Sequence, residues 1–170
     1  MNWTSPEVVV PDGPLTGDDR AILIPYLNAQ RHTLLNICAG LTAEQLSTRA
    51  VAPSRLSLHG LVRHAAKVER VWFRIRVAGE EIPHLYGGPG DPSDFEDIDP
   101  ASAEAEVEQL RREWTLADAA VADRSFDVEF SHRGDPMSLR MVYVHMIGEY
   151  ARHNGHADLL REQLDGVTGR

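Results

Sequence analysis

The chain contains a single cysteine, Cys38. With no partner thiol, no intrachain disulfide can form and a zinc–thiolate cage is excluded, which fits a protein of the reducing cytoplasm. Cys38 also sits beside Leu34 and Leu35 in a helical pattern. Such surroundings favour an inert core thiol, since reactive cysteines occupy electropositive, partly exposed positions. Long apolar runs are missing too: no segment approaches the roughly 18 residues of a membrane span. The first residues, Met1 to Pro6, carry neither the basic flank nor the apolar stretch of an export signal. Positive charge is scarce, with 17 Lys+Arg against 26 Asp+Glu and a net charge of -9. Without a basic stripe, a nucleic-acid backbone is a poor partner. Several catalytic signatures are absent as well: there is no His-Glu-x-x-His, no Gly-x-Ser-x-Gly and no phosphate-binding glycine loop. Gly87-Gly88-Pro89-Gly90 is turn punctuation rather than a strand-to-helix cradle.

What remains is dominated by helical periodicity. An extended leader over residues 1–15 includes Val10-Pro11-Asp12-Gly13-Pro14. Thr16 with Asp19 resembles a capping box, and Ile22, Leu23, Tyr26, Leu27, Leu34, Leu35 and Cys38 then recur at helical spacing up to Gly40. Thr42 with Gln45 opens a short helix closed by Pro53, and Ser57 caps a second long pattern through Leu58, Leu61, Val62, Ala65, Val68 and Trp72, ending near Gly79. Residues 80–99 hold Pro83, Pro89 and Pro92 with several glycines and no period, so they read as a long surface loop of the kind that often serves as a lid or binding loop. Asp99-Pro100 starts a third helix through Val107, Leu110, Trp114, Ala117 and Val121. After a brief alternation at Phe126, Val128 and Phe130, allowing a short extended piece, a fourth helix runs from about Ser138 to Leu164 with Gly166 as its stop. Four long amphipathic helices and no convincing sheet predict an all-α four-helix bundle formed by residues 1–170 as a single domain.

The last helix carries the chemistry. Glu149 and His153 are four residues apart, one turn along the same face. Both flank the direction of Met146, Tyr150 and Ala157, where an unpaired carboxylate is expensive to bury and a divalent cation would remove that cost. His64, on the side of Leu61, Val68 and Val71, points inward from the second long helix. Together the three give two nitrogens and one oxygen with a fourth coordination position free, the pattern of a catalytic metal centre. An alternative stays open: Glu149 pairs with Arg152 or His153, and His64 is a hydrogen-bonded core histidine. The pairs His145/Glu149 and His153/His156 also have helical spacing. Of these, His145 reads as a pocket or supporting residue and His156 as a packing or hydrogen-bonding one. His32, His59, His84 and His132 read as exposed or locally bonded.

The segments Ser57-Leu58-His59-Gly60-Leu61-Val62-Arg63-His64 and Val144-His145-Met146-Ile147-Gly148-Glu149-Tyr150-Ala151-Arg152-His153, the latter continuing to Glu162, together resemble the DinB-like superfamily. The likeness is to a domain-of-unknown-function branch near mycothiol-dependent maleylpyruvate isomerase. It covers nearly the whole chain and implies an up-down-down-up bundle with a long loop between helices two and three. It also implies a metal held by His64, Glu149 and His153, with Glu149 standing where most members have the first histidine of a His-x-x-x-His pair. Characterised relatives use zinc or nickel and act on low-molecular-weight thiols such as mycothiol or bacillithiol, as S-transferases or isomerases. The isomerase's C-terminal extension is not recognisable after Arg170, so maleylpyruvate is not the expected substrate.

The leading expectation is a metal-dependent thiol S-transferase, with zinc first and nickel second, whose partners are a low-molecular-weight thiol and an electrophilic small molecule. His145 is the expected catalytic proton relay. A metal-dependent hydrolase is the runner-up; a non-catalytic metal-containing ligand-binding or stress-associated bundle and a metal-free interaction protein are further alternatives. A homodimer follows from the general prevalence of two-fold oligomers.

Overall fold

The computed structural model describes residues 3–169. Side-chain caps decide where its helices begin. Asp18, in extended backbone, accepts a hydrogen bond from the Ala21 N–H at 2.8 Å and opens α1 (Asp19–Cys38). The expected pairing of Thr16 with Asp19 is therefore displaced, because Asp18 is the acceptor placed immediately before the first turn. The helix ends at Ala39, and Gly40 follows with a φ of 76° that suits glycine. The Gly40 N–H donates to the Ser5 carbonyl, the Ser5 N–H donates to the Leu41 carbonyl, and Thr4 bridges Thr42. The leader is thus tied down at its start; Met1 and Asn2 lie outside the described residues.

The capping box of Thr42 and Gln45 forms as the sequence predicts and opens α2 (Ala43–Ser47). Ser57 accepts from the Gly60 N–H at 3.1 Å and starts α3 (Leu58–Glu69). From Arg70 to Val77 the same helix continues with π geometry, shown by the Ala78 N–H donating to the Phe73 carbonyl five residues back. The long loop then follows, containing one short helix, α4 (Ser93–Glu96). Asp99 caps a 3-10 turn at Pro100–Ser102 that leads into α5 (Ala103–Val121).

The extended piece after α5 is more than was expected. β1 (Glu129–His132) and β2 (Asp135–Ser138) form an antiparallel hairpin in the register Glu129↔Ser138 to His132↔Asp135. The absence of sheet expected from the sequence is corrected here, and the reason for the miss is plain. Asp-Pro-Met-Ser has little strand propensity, and Pro136 is tolerated only because the hairpin has free edges. Ser138 then caps α6 (Leu139–Asp165), which Gly166 ends at a φ of 78°. Among the described residues the chain is mostly helical, with this one small sheet.

α1 packs along α6, α3 and its π continuation pack along α5, and α3 also meets α6. Their apolar faces make one cluster, including Leu27 and Leu34 of α1, Leu61 and Phe73 of the α3 run, Leu110 of α5, and Val142 and Met146 of α6. A charged pair lies within it. Arg31 and Glu69 are 1% and 0% exposed and meet through two parallel bonds of 2.7 and 2.8 Å. Arg31 also bonds Asn28 and Asp118, Tyr150 donates to Glu69 at 2.9 Å, and the Trp114 indole donates to the Tyr150 hydroxyl at 2.9 Å. One network therefore reaches α1, α3, α5 and α6.

Replacing Arg31 alone by methionine leaves Glu69 as a buried unpaired charge. The expected loss is about 3–5 kcal/mol of unfolding free energy in a denaturant titration. The double variant Arg31→Met/Glu69→Leu is expected to regain much of that loss, since it removes both charges together.

Candidate metal centre

His64 comes from the second turn of α3, and Glu149 and His153 from successive turns of α6. Ring nitrogens of the two histidines and a Glu149 oxygen all lie within 4.8 Å of one another. His64 Nε2 is 3.0 Å from Glu149 Oε1, and His153 Nε2 is 3.2 Å from the same oxygen. Around a tetrahedral ion with bonds of about 2.0–2.1 Å, adjacent ligand atoms stand about 3.3 Å apart. The donor set and its spacing therefore fit a divalent cation. A cavity of about 10 Å³, lined by these three residues with Leu34, Leu61, Ala65, Val68 and Tyr150, gives single-atom room beside them.

The outer ring nitrogens are held as well. His64 Nδ1 lies 2.8 Å from Asp94 Oδ2, and Asp94 in turn meets Lys67 Nζ at 3.4 Å. His153 Nδ1 lies 3.3 Å from His156 Nδ1. Carboxylate or nitrogen partners of this kind fix a ligand histidine's ring orientation and tautomer. Burial opposes charge on His64, but its bonds to Asp94 and Glu149 outweigh that and hold its pKa above the ordinary histidine value. Hydrogen bonds from His153 and His64 hold the Glu149 carboxyl well below the usual carboxylate range. Burial pushes Asp94 up, yet the bond from His64 and the Lys67 charge leave it lowered overall.

Glu149 Oε2 pairs with Arg152, so part of the alternative reading from sequence is also present. The hydrogen bonds of His64 to Asp94 and Glu149 and the pairing of His153 with Glu149 belong to that reading too, and the same three side chains make the cluster with metal-ligand spacing.

His64 also lines a second and much larger cavity, of about 590 Å³. Its apolar surface comes from Val68, Val71, Trp72, Phe95 and Met137, and it is bordered by Lys67, Asp91 and Asp94 on one side and by Arg76, His132, Arg133 and His145 on another. The loop after α3 and the hairpin before α6 thus both contribute to it. His145 lies on this wall with its ring 4.4 Å from that of Trp72, one helical turn before Glu149. Burial, with Arg76, Arg152 and His132 outweighing Glu149, keeps His145 below the ordinary histidine pKa.

The other histidines are elsewhere. His59 is buried between Ser47 and Glu106, His32 bonds the Asn28 carbonyl, and His84 is exposed. His132, read from sequence as exposed or locally bonded, stands 5.2 Å from Trp72 on the cavity wall. Asp94, Lys67, Arg76 and Arg133 were not marked as site residues by sequence. Asp94 lies in a loop without period, and the arginines face the cavity only once the hairpin folds. Cys38 is fully buried, and burial pushes its thiol up to about 12.

A family model described as "MST: Mycothiol-S-transferase" matches residues 22–166. No curated protein and no solved structure matches the chain. The matched span includes all three members of the cluster, His145, and both walls of the large cavity.

Prepared without a polyhistidine tag and reconstituted with zinc or nickel, the protein is expected to hold about one equivalent by elemental mass spectrometry. His64→Ala, Glu149→Ala and His153→Ala should each lose it. Asp94→Asn should keep the site but weaken affinity by about 10–100-fold, as the loss of a supporting partner does. A folded wild type that stays metal-free after reconstitution would contradict the assignment.

Proposed function

The chain belongs to the mycothiol-S-transferase family of the DinB-like superfamily, and from that premise we propose that it transfers a low-molecular-weight thiol to an electrophilic small molecule at the His64–Glu149–His153 centre. The carrying observation is the convergence of the three donors beside the large cavity, with His64 on the wall of both spaces. The proposal takes the four long helices as an up-down-down-up bundle forming a single domain.

His64, Glu149 and His153 would hold a divalent ion, zinc before nickel, since imidazole and carboxylate donors suit both. When bound, it supplies an open position at which a thiol's pKa falls enough for thiolate to exist at neutral pH. The chain's own residues do the rest. Asp94 orients His64, and His156 orients His153. Val68, Val71, Trp72 and Phe95 give the cavity beside the centre an apolar lining. His145, neutral because its pKa is held down, accepts the thiol proton at a ring nitrogen. The thiolate sulfur then bonds to the electrophilic carbon, and the electron pair leaves with the departing group, or the proton returns to the neighbouring carbon when the electrophile is an activated alkene. Cys38 takes no part, being buried and protonated. Its isolation agrees with a reducing, cytoplasmic setting, and among the described residues no helix is long and apolar enough to cross a membrane. A homodimer belongs to this reading on general grounds.

Mycothiol with a fluorogenic haloalkyl electrophile tests the reaction. Turnover is expected with the metal-loaded protein, should disappear on chelation, and should fall about 10²-fold or more in kcat for His145→Gln, the scale of a lost general base. A loaded, folded protein that neither binds nor turns over any low-molecular-weight thiol would sink the reading. Cys38→Ala should keep full activity, and native Cys38 should resist a thiol-alkylating reagent until denaturant is added.

A further inference from the structure

The large cavity carries two arginines that the centre does not use. Arg76 stands in the π segment with its guanidinium 4.1 Å from the centre of the Trp72 ring, and Arg133 stands at the tip of the hairpin on the same cavity. Most of the chain's arginines are engaged by carboxylates or carbonyls, as Arg31, Arg63, Arg70, Arg74 and Arg161 are. Among the described residues, Arg76 and Arg133 have neither a carboxylate nor a carbonyl partner. Arg112 shares that lack on the exposed face of α5, but it does not line the cavity, as Arg76 and Arg133 do.

The two also feel one another. Burial and then the Arg133 charge lower the pKa of Arg76, so two like charges are held together at one rim. Arg133 is placed there by backbone that disfavours it. It has a φ of 56° and Gly134 a φ of 94°, the positive pair of a two-residue hairpin turn that normally favours Asn or Gly at its first position. Asp135, the next residue, does not line the cavity. The carboxylates that do are already engaged: Asp91 with Ser93, and Asp94 with His64 and Lys67. Neither of these carboxylates makes an ion pair with Arg76 or Arg133.

We propose that Arg76 and Arg133 form an oxyanion-binding subsite, so that the electrophile taken by this protein carries a carboxylate or phosphate group on a flat apolar body. The anion sits between the guanidinium groups, whose planar fork suits bidentate binding of either oxyanion. Its body lies along the apolar lining of Val68, Val71 and Phe95 toward His64. That this anion is the electrophile rests on the transfer reading above; the subsite itself stands on the cavity alone.

The test is calorimetric titration, at low ionic strength, of the metal-loaded protein with three ligands of one size: benzoate, phenyl phosphate and the neutral benzamide. At least one anion is expected to bind tenfold or more tighter than benzamide, and which of the two is tighter identifies the oxyanion. Arg76→Gln/Arg133→Gln should reduce the anions to the benzamide level, with Arg133→Gln alone at the exposed tip as the variant that spares the fold. His153→Ala should keep the preference. Anions that bind no better than benzamide, or not at all, overturn the proposal. So does a preference that survives in the arginine variants, or one lost in His153→Ala, which would put the anion at the centre instead. Failure of the transfer reading shows separately, in metal content and thiol turnover.

Discussion

The buried Arg31–Glu69 pair is the constraint from which the rest of the arrangement follows. Neither charge can be left without the other, and their remaining hydrogen-bonding capacity is filled by Asn28, Asp118 and Tyr150. Tyr150 in turn accepts a hydrogen bond from the Trp114 indole N–H. Four helices are thereby held at one rotation and one height, because an apolar face alone tolerates small slips that a hydrogen-bonded charge pair does not. Glu149 is the residue before Tyr150, and Glu69 follows His64 by little more than a turn. Fixing Tyr150 against Glu69 thus brings the Glu149 and His153 faces of α6 onto His64.

Around that centre the labour is divided. The donors come from two rigid helices, while the cavity beside them is walled by the loop after α3 and the hairpin before α6. Asp94 and Lys67 join the two parts, since Asp94 orients His64 while Lys67 bonds the backbone carbonyls of Tyr86 and Asp91 in the loop. A protein built this way holds the His64–Glu149–His153 cluster on helices and lines the neighbouring cavity with segments that can vary.

Much of this was legible in the sequence where the signal is local. Thr42 with Gln45, Ser57, Ser138 and Gly166 mark boundaries that the structure keeps, because a cap is a contact between near neighbours in the chain. Glu149 and His153 could be paired for the same reason, and His64 by its phase on α3. What could not be read depends on contacts distant in sequence. Arg31 and Glu69 look like ordinary surface charges until α1 and α3 are packed, and Asp94 looks like a loop acid. The hairpin escaped because Pro136 and a short polar strand hide it, and with it went the placing of His132 and Arg133. The π segment escaped because Trp72 and Phe73 satisfy either helical period over so short a run.

That segment has its own consequence. His64 lies upstream of the change in winding, and Trp72 and Arg76 lie downstream of it. A helix turns about 100° per residue, so gaining or losing one residue at the junction would re-aim everything beyond it while leaving everything before it in place. The junction behaves as an indexing joint. Across lineages, a single-codon insertion or deletion there could present a new wall to the cavity in one step, with the His64–Glu149–His153 cluster undisturbed.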